Sequence, residues 1–137
     1  MILADTGALI ALVDADDRHH GKLREFWEAD PVAWLLPWAI LPEVDYLLAT
    51  QLGQAAEEAF LADLSDGSFR IAWGDERDVA AGRRIAQRHR SLRLGLVDVV
   101  VMAMAERIGV EAIATLDLRH FGAVRIKGGP KLYPRDL

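Results

Sequence analysis

The sequence contains no cysteine. That absence excludes a disulfide framework, a cysteine-ligated zinc or iron–sulfur site and a thiol nucleophile, so any metal must be held by oxygen or by imidazole nitrogen. It also fits a reducing compartment. Apolar runs fall short of the roughly 20 residues that span a bilayer, and no charged leader precedes a long apolar stretch, so a soluble, cytoplasmic protein is the expectation. A GxSxG elbow, a GxxxxGK[ST] phosphate loop and an HExxH pair are missing too; "KGGPK" near the carboxyl terminus has neither the spacing nor a following helix. Basic charge is in deficit, with 16 Lys and Arg against 21 Asp and Glu and a net charge of −5. The overall basic field of many nucleic-acid binders is therefore absent.

What is present is a hydrophobic content of 52% over 137 residues, enough for one domain spanning residues 1–137 with its own core. The bases that do occur are uneven: "GRRIAQRHRSLRLG" carries Arg83, Arg84, Arg88, Arg90 and Arg93 with His89 and no acid. Such a patch is suited to phosphate contact; its plainer reading is a solvated helix face with snorkelling arginines.

Hydrophobic periodicity alternates between strand and helix, which predicts a parallel sheet with helices on both faces. A strand near residues 1–5 leads to a helix near 7–13, and the acidic "DADD" precedes a helix ending about Ala29. "PVAWLLP" reads as a second strand, followed by a helix from Leu41 or Pro42 to Gly53 and another through "QAAEEAFLADLSDG". "FRIAW" is a third strand, and Asp75 opens a helix to about Arg90. Val97 to Ile108 is a helix apolar almost all round, hence buried. "EAIATLD" is a strand ending in an acid, and "AVRIKGG" reads as the last strand.

The acids within this pattern are unusually placed. Asp5 follows the strand Ile2-Leu3-Ala4, and Asp117 follows Ile113-Ala114-Thr115-Leu116, so two strands deliver carboxylates to their carboxyl ends. Ligands bind open parallel sheets at that edge. Asp98 lies between Val97 and Val99 at the start of the buried helix, where an uncompensated charge would cost several kcal/mol. Glu43 sits in the first turn of the helix after the second strand, on the same edge. Each acid also has a plainer reading: Asp5, Thr6 or Asp98 as a helix cap, Glu43 as a first-turn acid favoured by the helix dipole, Asp117 as the start of a turn. Together they raise an electrostatic problem, since two like charges about 4 Å apart repel by roughly 4 kcal/mol at an effective dielectric near 20. A divalent cation resolves it, and an oxygen-only site suits Mg²⁺ or Mn²⁺. His19, His20, His89 and His120 lack ligand spacing, so each reads as a surface or packing residue.

The segments "LADTGALIAL", "LPEVDYLL", "LVDVVVMAMAERIG" and "IATLDLRHFG" resemble the four acidic motifs of the PIN-domain nucleases, and their order along the chain resembles the VapC-type toxins of toxin–antitoxin pairs. The resemblance implies a three-layer α/β/α sandwich around a parallel sheet of about five strands. It also implies a Mg²⁺- or Mn²⁺-dependent endoribonuclease that leaves 5′-phosphate and 3′-hydroxyl ends. Asp5, Asp98 and Asp117 would be the principal direct or water-mediated ligands, with Glu43 orienting water or holding a second ion and Thr6 and Thr115 supporting them. Gly7 departs from the serine frequent at that position, which removes a side-chain contact but no metal-binding oxygen. Lys22 and the arginines from Arg83 to Arg93 are the candidates for RNA phosphate contacts.

The partners implied by the resemblance are an RNA substrate, a small VapB-like antitoxin that blocks the crevice, a second copy of the chain and a toxin–antitoxin hetero-oligomer. Trp27, Trp34, Trp38 and Trp73 are candidates either for such an interface or for the core. Two other readings compete: a non-catalytic domain of the same fold that only contacts RNA or protein, and a receiver-like signalling domain with Asp5 as phospho-acceptor and Lys127 as its lysine.

Overall fold

A computed structural model describes residues 1–137. Five parallel strands, β1 (Ile2–Ala4), β2 (Trp34–Pro37), β3 (Ile71–Ala72), β4 (Ala112–Ala114) and β5 (Lys131–Tyr133), stand in the order β3-β2-β1-β4-β5. Seven helices connect and cover them: α1 (Thr6–Val13), α2 (His20–Ala29), α3 (Leu41–Leu47), α4 (Gln54–Asp66), α5 (Glu76–Arg88), α6 (Leu96–Ile108) and α7 (Leu118–Phe121). The chain steps outward from β1 through β2 to β3, then crosses back to place β4 and β5 on the other side of β1. Right-handed crossovers therefore put α1 to α4 on one face and α5 to α7 on the other. The packing of α1 on α2 and α3, and of α6 on α5 and α7, agrees with that division. No helix is long and apolar enough to cross a membrane.

The sheet is short, and its central strands are buried on both faces. Ile2, Leu3 and Ala4 are essentially inaccessible, as are Ala112, Ile113 and Ala114 beside them. These all-apolar triplets are what a doubly covered parallel strand requires. The expected burial of the last long helix is realised, since Val99 through Ala105 are all buried. Each fully buried Val or Met there contributes about 1.5–3 kcal/mol. Gly82 lets α5 close over α6, because a Cβ at that position would stand 3.1 Å from the Val99 backbone.

The sequence reading of the carboxyl-terminal strand is corrected. "AVRIKGG" forms no strand; β5 begins only at Lys131. The V-x-I alternation that suggested a strand does bury Val124 and Ile126, but in a loop packed on the core. Gly128 and Gly129 then adopt φ of +93° and +59°, which breaks the extended run before Pro130. The second and third strands are also shorter than expected, because Pro31–Ala33 forms a 3₁₀ turn and only Ile71–Ala72 pairs with β2. Of the tryptophans, Trp34 is fully buried and Trp73 is 70% exposed.

Candidate active site

β1 and β4 are adjacent, and from them the chain departs in opposite directions across the sheet. Such a switch point leaves a crevice at the carboxyl ends of the two strands, because the connections on either side cross opposite faces. Here a crevice of about 430 Å³ is lined by Asp5, Thr6, Gly7, Glu43, Gly95, Leu96, Val97, Asp98 and Asp117. All four sequence-predicted acids are among these residues, each from a different part of the fold.

Asp5 follows β1 and occupies the N-cap position of α1, yet its side chain makes no capping hydrogen bond. Its carboxylate instead accepts a 3.0 Å hydrogen bond from the Thr115 hydroxyl. Asp5 is 6% exposed. Burial pushes its pKa up from 3.8 to about 6; the Thr6 amide and Thr115 hydroxyl pull the other way, and the charges of Asp98 and Asp117 add to the rise. A carboxylate that is buried and uncapped, with the charges of Asp98 and Asp117 near it, stabilises neither helix nor core. A cation could offset that charge, but the donor atoms that gather within 4.8 Å of one another are those of Asp98, Asp117 and His120, without Asp5.

Asp117 combines the capping role with another. One of its oxygens caps α7 by accepting the His120 amide at 3.2 Å, and the other lies 2.9 Å from His120 Nδ1. Asp98, in the first turn of α6, accepts a long 3.4 Å bond from the Gly95 amide, and the same oxygen lies 3.2 Å from His120 Nδ1. Glu43 projects from the first turn of α3 and is exposed at the crevice wall. Thr6 is buried, and its hydroxyl has no hydrogen-bond partner although the residue lines the crevice. A partnerless buried hydroxyl beside oxygen donors of like charge fits a hydrated divalent ion, whose bound waters would supply the missing partner. Gly7 leaves space at the wall, since a Cβ there would meet only Leu116 at 3.9 Å.

The basic candidates divide. Arg83, Arg84 and Arg88 lie on the exposed side of α5, while Arg90 and Arg93 lie on the segment that leads into Gly95 at the crevice. None of the five forms an ion pair with an acid. Arg93 holds a left-handed φ of 53°, uncommon for a residue with a side chain. Lys22 is not brought to the acids: it lines a separate crevice with Glu25, Phe26, Ala29 and Leu137.

His120 is the residue that sequence reasoning missed. It reads as a surface or packing residue in the sequence, but it stands between two of the four acids. The available signal was its spacing: three residues after Asp117, at the start of a helical turn, the two side chains share a face.

The family profile "PIN domain" matches residues 2–127. Ribonuclease VapC26 of Mycobacterium tuberculosis is 33% identical over 128 residues, covering 93% of this chain and 95% of that protein. Among solved structures, M. tuberculosis VapC20, a Sarcin–Ricin loop cleaving toxin, superposes with a TM-score of 0.80 at 22% identity, covering 95% of this chain and all (100%) of that one. The DNA-bound VapBC of Salmonella typhimurium gives a TM-score of 0.72 at 18% identity, covering 96% of this chain and 95% of that one. FitAcB of Neisseria gonorrhoeae gives 0.66 at 16% identity, covering 97% and 96%. The last three, at such identities, bear on the fold alone.

Proposed function

The chain belongs to the PIN-domain family, and from that membership we propose that it is a metal-dependent endoribonuclease, the toxin of a toxin–antitoxin pair, acting in the cytoplasm. The observation that carries the reading is the convergence of Asp5, Glu43, Asp98 and Asp117 on one crevice at the switch point of the sheet. Four carboxylates with no Lys or Arg among the lining residues are a poor binding surface for RNA and a good one for Mg²⁺ or Mn²⁺.

Asp5, Asp98 and Asp117 would hold the ion, and Thr6 would hydrogen-bond its water shell. When bound, a divalent ion supplies Lewis acidity toward the scissile phosphate and a nucleophile at neutral pH. Thr115 fixes the Asp5 carboxylate through a bond to its oxygen. Glu43, which is exposed at the wall, would orient an attacking water or hold a second ion. Arg90 and Arg93 offer charge beside the crevice for the phosphates that flank the cleaved one, contacts that position RNA without reading its sequence.

An antitoxin protein and a second copy of the chain are the proposed partners, in keeping with the toxin–antitoxin relatives. A partner that covers the crevice would bury Leu96, which is 60% exposed and lines it. The test is RNA cleavage by purified Asp5→Asn and Asp98→Asn in the presence of Mn²⁺. Both variants are expected to lose at least about 100-fold in rate with unchanged circular dichroism, the scale of losing a principal electrostatic group. Cleavage at the parental rate by either variant would remove the site.

A further inference from the structure

The setting of His120 carries an inference that rests on the reading of the acidic crevice as a cation site and goes beyond its four acids. His120 Nδ1 lies 2.9 Å from Asp117 Oδ2 and 3.2 Å from Asp98 Oδ2. It is shielded from solvent and hydrogen-bonds to neither. The proximity is therefore not that of an aligned ion pair, in which the N–H would point at one oxygen. One donor atom each from Asp98, Asp117 and His120 can be enclosed within 4.8 Å of one another. Ligands about 2.1 Å from an octahedral ion stand about 3.0 Å apart along each edge of the octahedron, and the two nitrogen–oxygen distances straddle that value.

The other histidines are engaged elsewhere or lie elsewhere. His20 Nδ1 is 3.0 Å from the Ala11 carbonyl, His19 Nε2 accepts from Arg18, and His89 ends α5. Only His120 presents a nitrogen to the acids.

We propose that His120 Nδ1 is a direct ligand of the divalent ion held by Asp98 and Asp117, which makes this a mixed nitrogen–oxygen site that prefers Mn²⁺ to Mg²⁺. Imidazole is a poor donor for Mg²⁺, a hard ion that keeps oxygen ligands and water, whereas Mn²⁺ accepts it. Asp117 caps the short helix α7 that carries His120, so the turn that caps on Asp117 also aims the imidazole. The nitrogen replaces one water without adding charge, which suits a site where carboxylates already supply the charge.

The test is pulsed electron paramagnetic resonance of Mn²⁺ bound to the full-length protein, with calorimetric titration of Mn²⁺ and Mg²⁺. The expected result is nitrogen-14 modulation in the parent that disappears in His120→Gln, with Mn²⁺ still bound. Even an outer-shell partner is worth about 10- to 100-fold in metal affinity, so the variant should bind Mn²⁺ at least about tenfold more weakly and lose less for Mg²⁺. Mn²⁺ bound at the acids without nitrogen modulation would overturn the ligand assignment and leave the acidic site intact. Equal losses for both ions would also overturn it, since they would mean that His120 only positions Asp98 and Asp117. Failure of the parent to bind Mn²⁺, or binding unaffected by Asp98→Asn, would overturn the cation site and this inference with it.

Discussion

Thr115 ties Asp5 to Asp117: its hydroxyl donates to Asp5 Oδ2 and accepts the Asp117 amide, each at 3.0 Å. Asp5 and Thr115 are 110 residues apart in sequence, and one side chain fixes the carboxylate of one strand end to the backbone of the next. Thr115 is 1% exposed, so water cannot take over either bond. Thr115→Val preserves the shape and removes both. It should weaken Mn²⁺ binding by about 10- to 100-fold, the effect of deleting a group that orients a ligand. The Asp117 amide left without its partner should cost about 1–3 kcal/mol of stability. Thr115→Ser should restore most of both. Calorimetric metal titration and urea unfolding of the two variants measure this, and parental affinity in the valine variant would refute the orienting role.

Protonation of Asp5 makes the metal-free protein pH-dependent in a definite direction. Its pKa is about 6 in the fold against 3.8 as the ordinary value, so the native chain holds the proton more tightly than the unfolded chain. Stability from this group is present below about pH 4, is lost as pH rises from there to about 6, and is flat above. A shift of two units corresponds to about 3 kcal/mol. Asp5→Asn should therefore match the parent near pH 4 and exceed it in stability by up to about 3 kcal/mol at pH 7, both measured in chelator. The same variant should lose metal binding. A variant less stable than the parent at pH 7 would mean that the charged carboxylate is already compensated without a cation.

Away from the crevice, Asp78 and Arg107 lock α5 to α6 through two bonds of 2.7 and 2.9 Å. Asp78 is 2% exposed and also accepts the Asp75 amide at 2.9 Å, completing a capping box. Removing the guanidinium leaves a buried charge, so Arg107→Ala should cost about 2–4 kcal/mol, reduced by the partial exposure of the arginine. Asp78→Asn combined with Arg107→Ala should recover part of that loss. Thermal unfolding of the two variants provides the check, and Mn²⁺ affinity should stay at the parental value because neither residue lines the crevice.

The acids were legible from sequence because their physical oddity is local. A carboxylate directly after an apolar triplet, as at Asp5, or flanked by valines, as at Asp98, contradicts its neighbours and asks for compensation. The family resemblance implied only a parallel sheet of about five strands, and no residue showed their order. His120 escaped because its place beside Asp98, 22 positions earlier, is created only by the packing of α7 on α6. The last strand was misplaced for a related reason: Val124 and Ile126 alternate as strand residues do, but their burial comes from a loop folded onto the core. The helix-cap reading failed for Asp5, whose carboxylate takes the Thr115 hydroxyl instead, and held for Asp98 only through the long bond from the Gly95 amide, while Asp117, read as the start of a turn, caps α7.

RNA is a polyanion and the crevice is acidic, so substrate affinity must come from bases around it. Arg90 and Arg93 sit on the segment that enters the crevice wall at Gly95, exposed and free of acidic partners. Lys22, proposed from sequence for the same task, lines another crevice. Each phosphate neutralised on a single strand contributes about −0.7 to the slope of log affinity against log salt. Replacing both arginines by glutamine should therefore make the slope shallower by about 1.4 and weaken binding across RNA sequences without preference, whereas Lys22→Gln should leave both unchanged. The measurement is fluorescence anisotropy of a labelled single-stranded RNA titrated at several salt concentrations with the Asp98→Asn protein, which binds without cutting. If the double arginine variant kept the parental slope while Lys22→Gln reduced it, the RNA path would run along α2 rather than along the Arg90–Arg93 segment. The arginines would then be the solvated helix face that composition alone suggests.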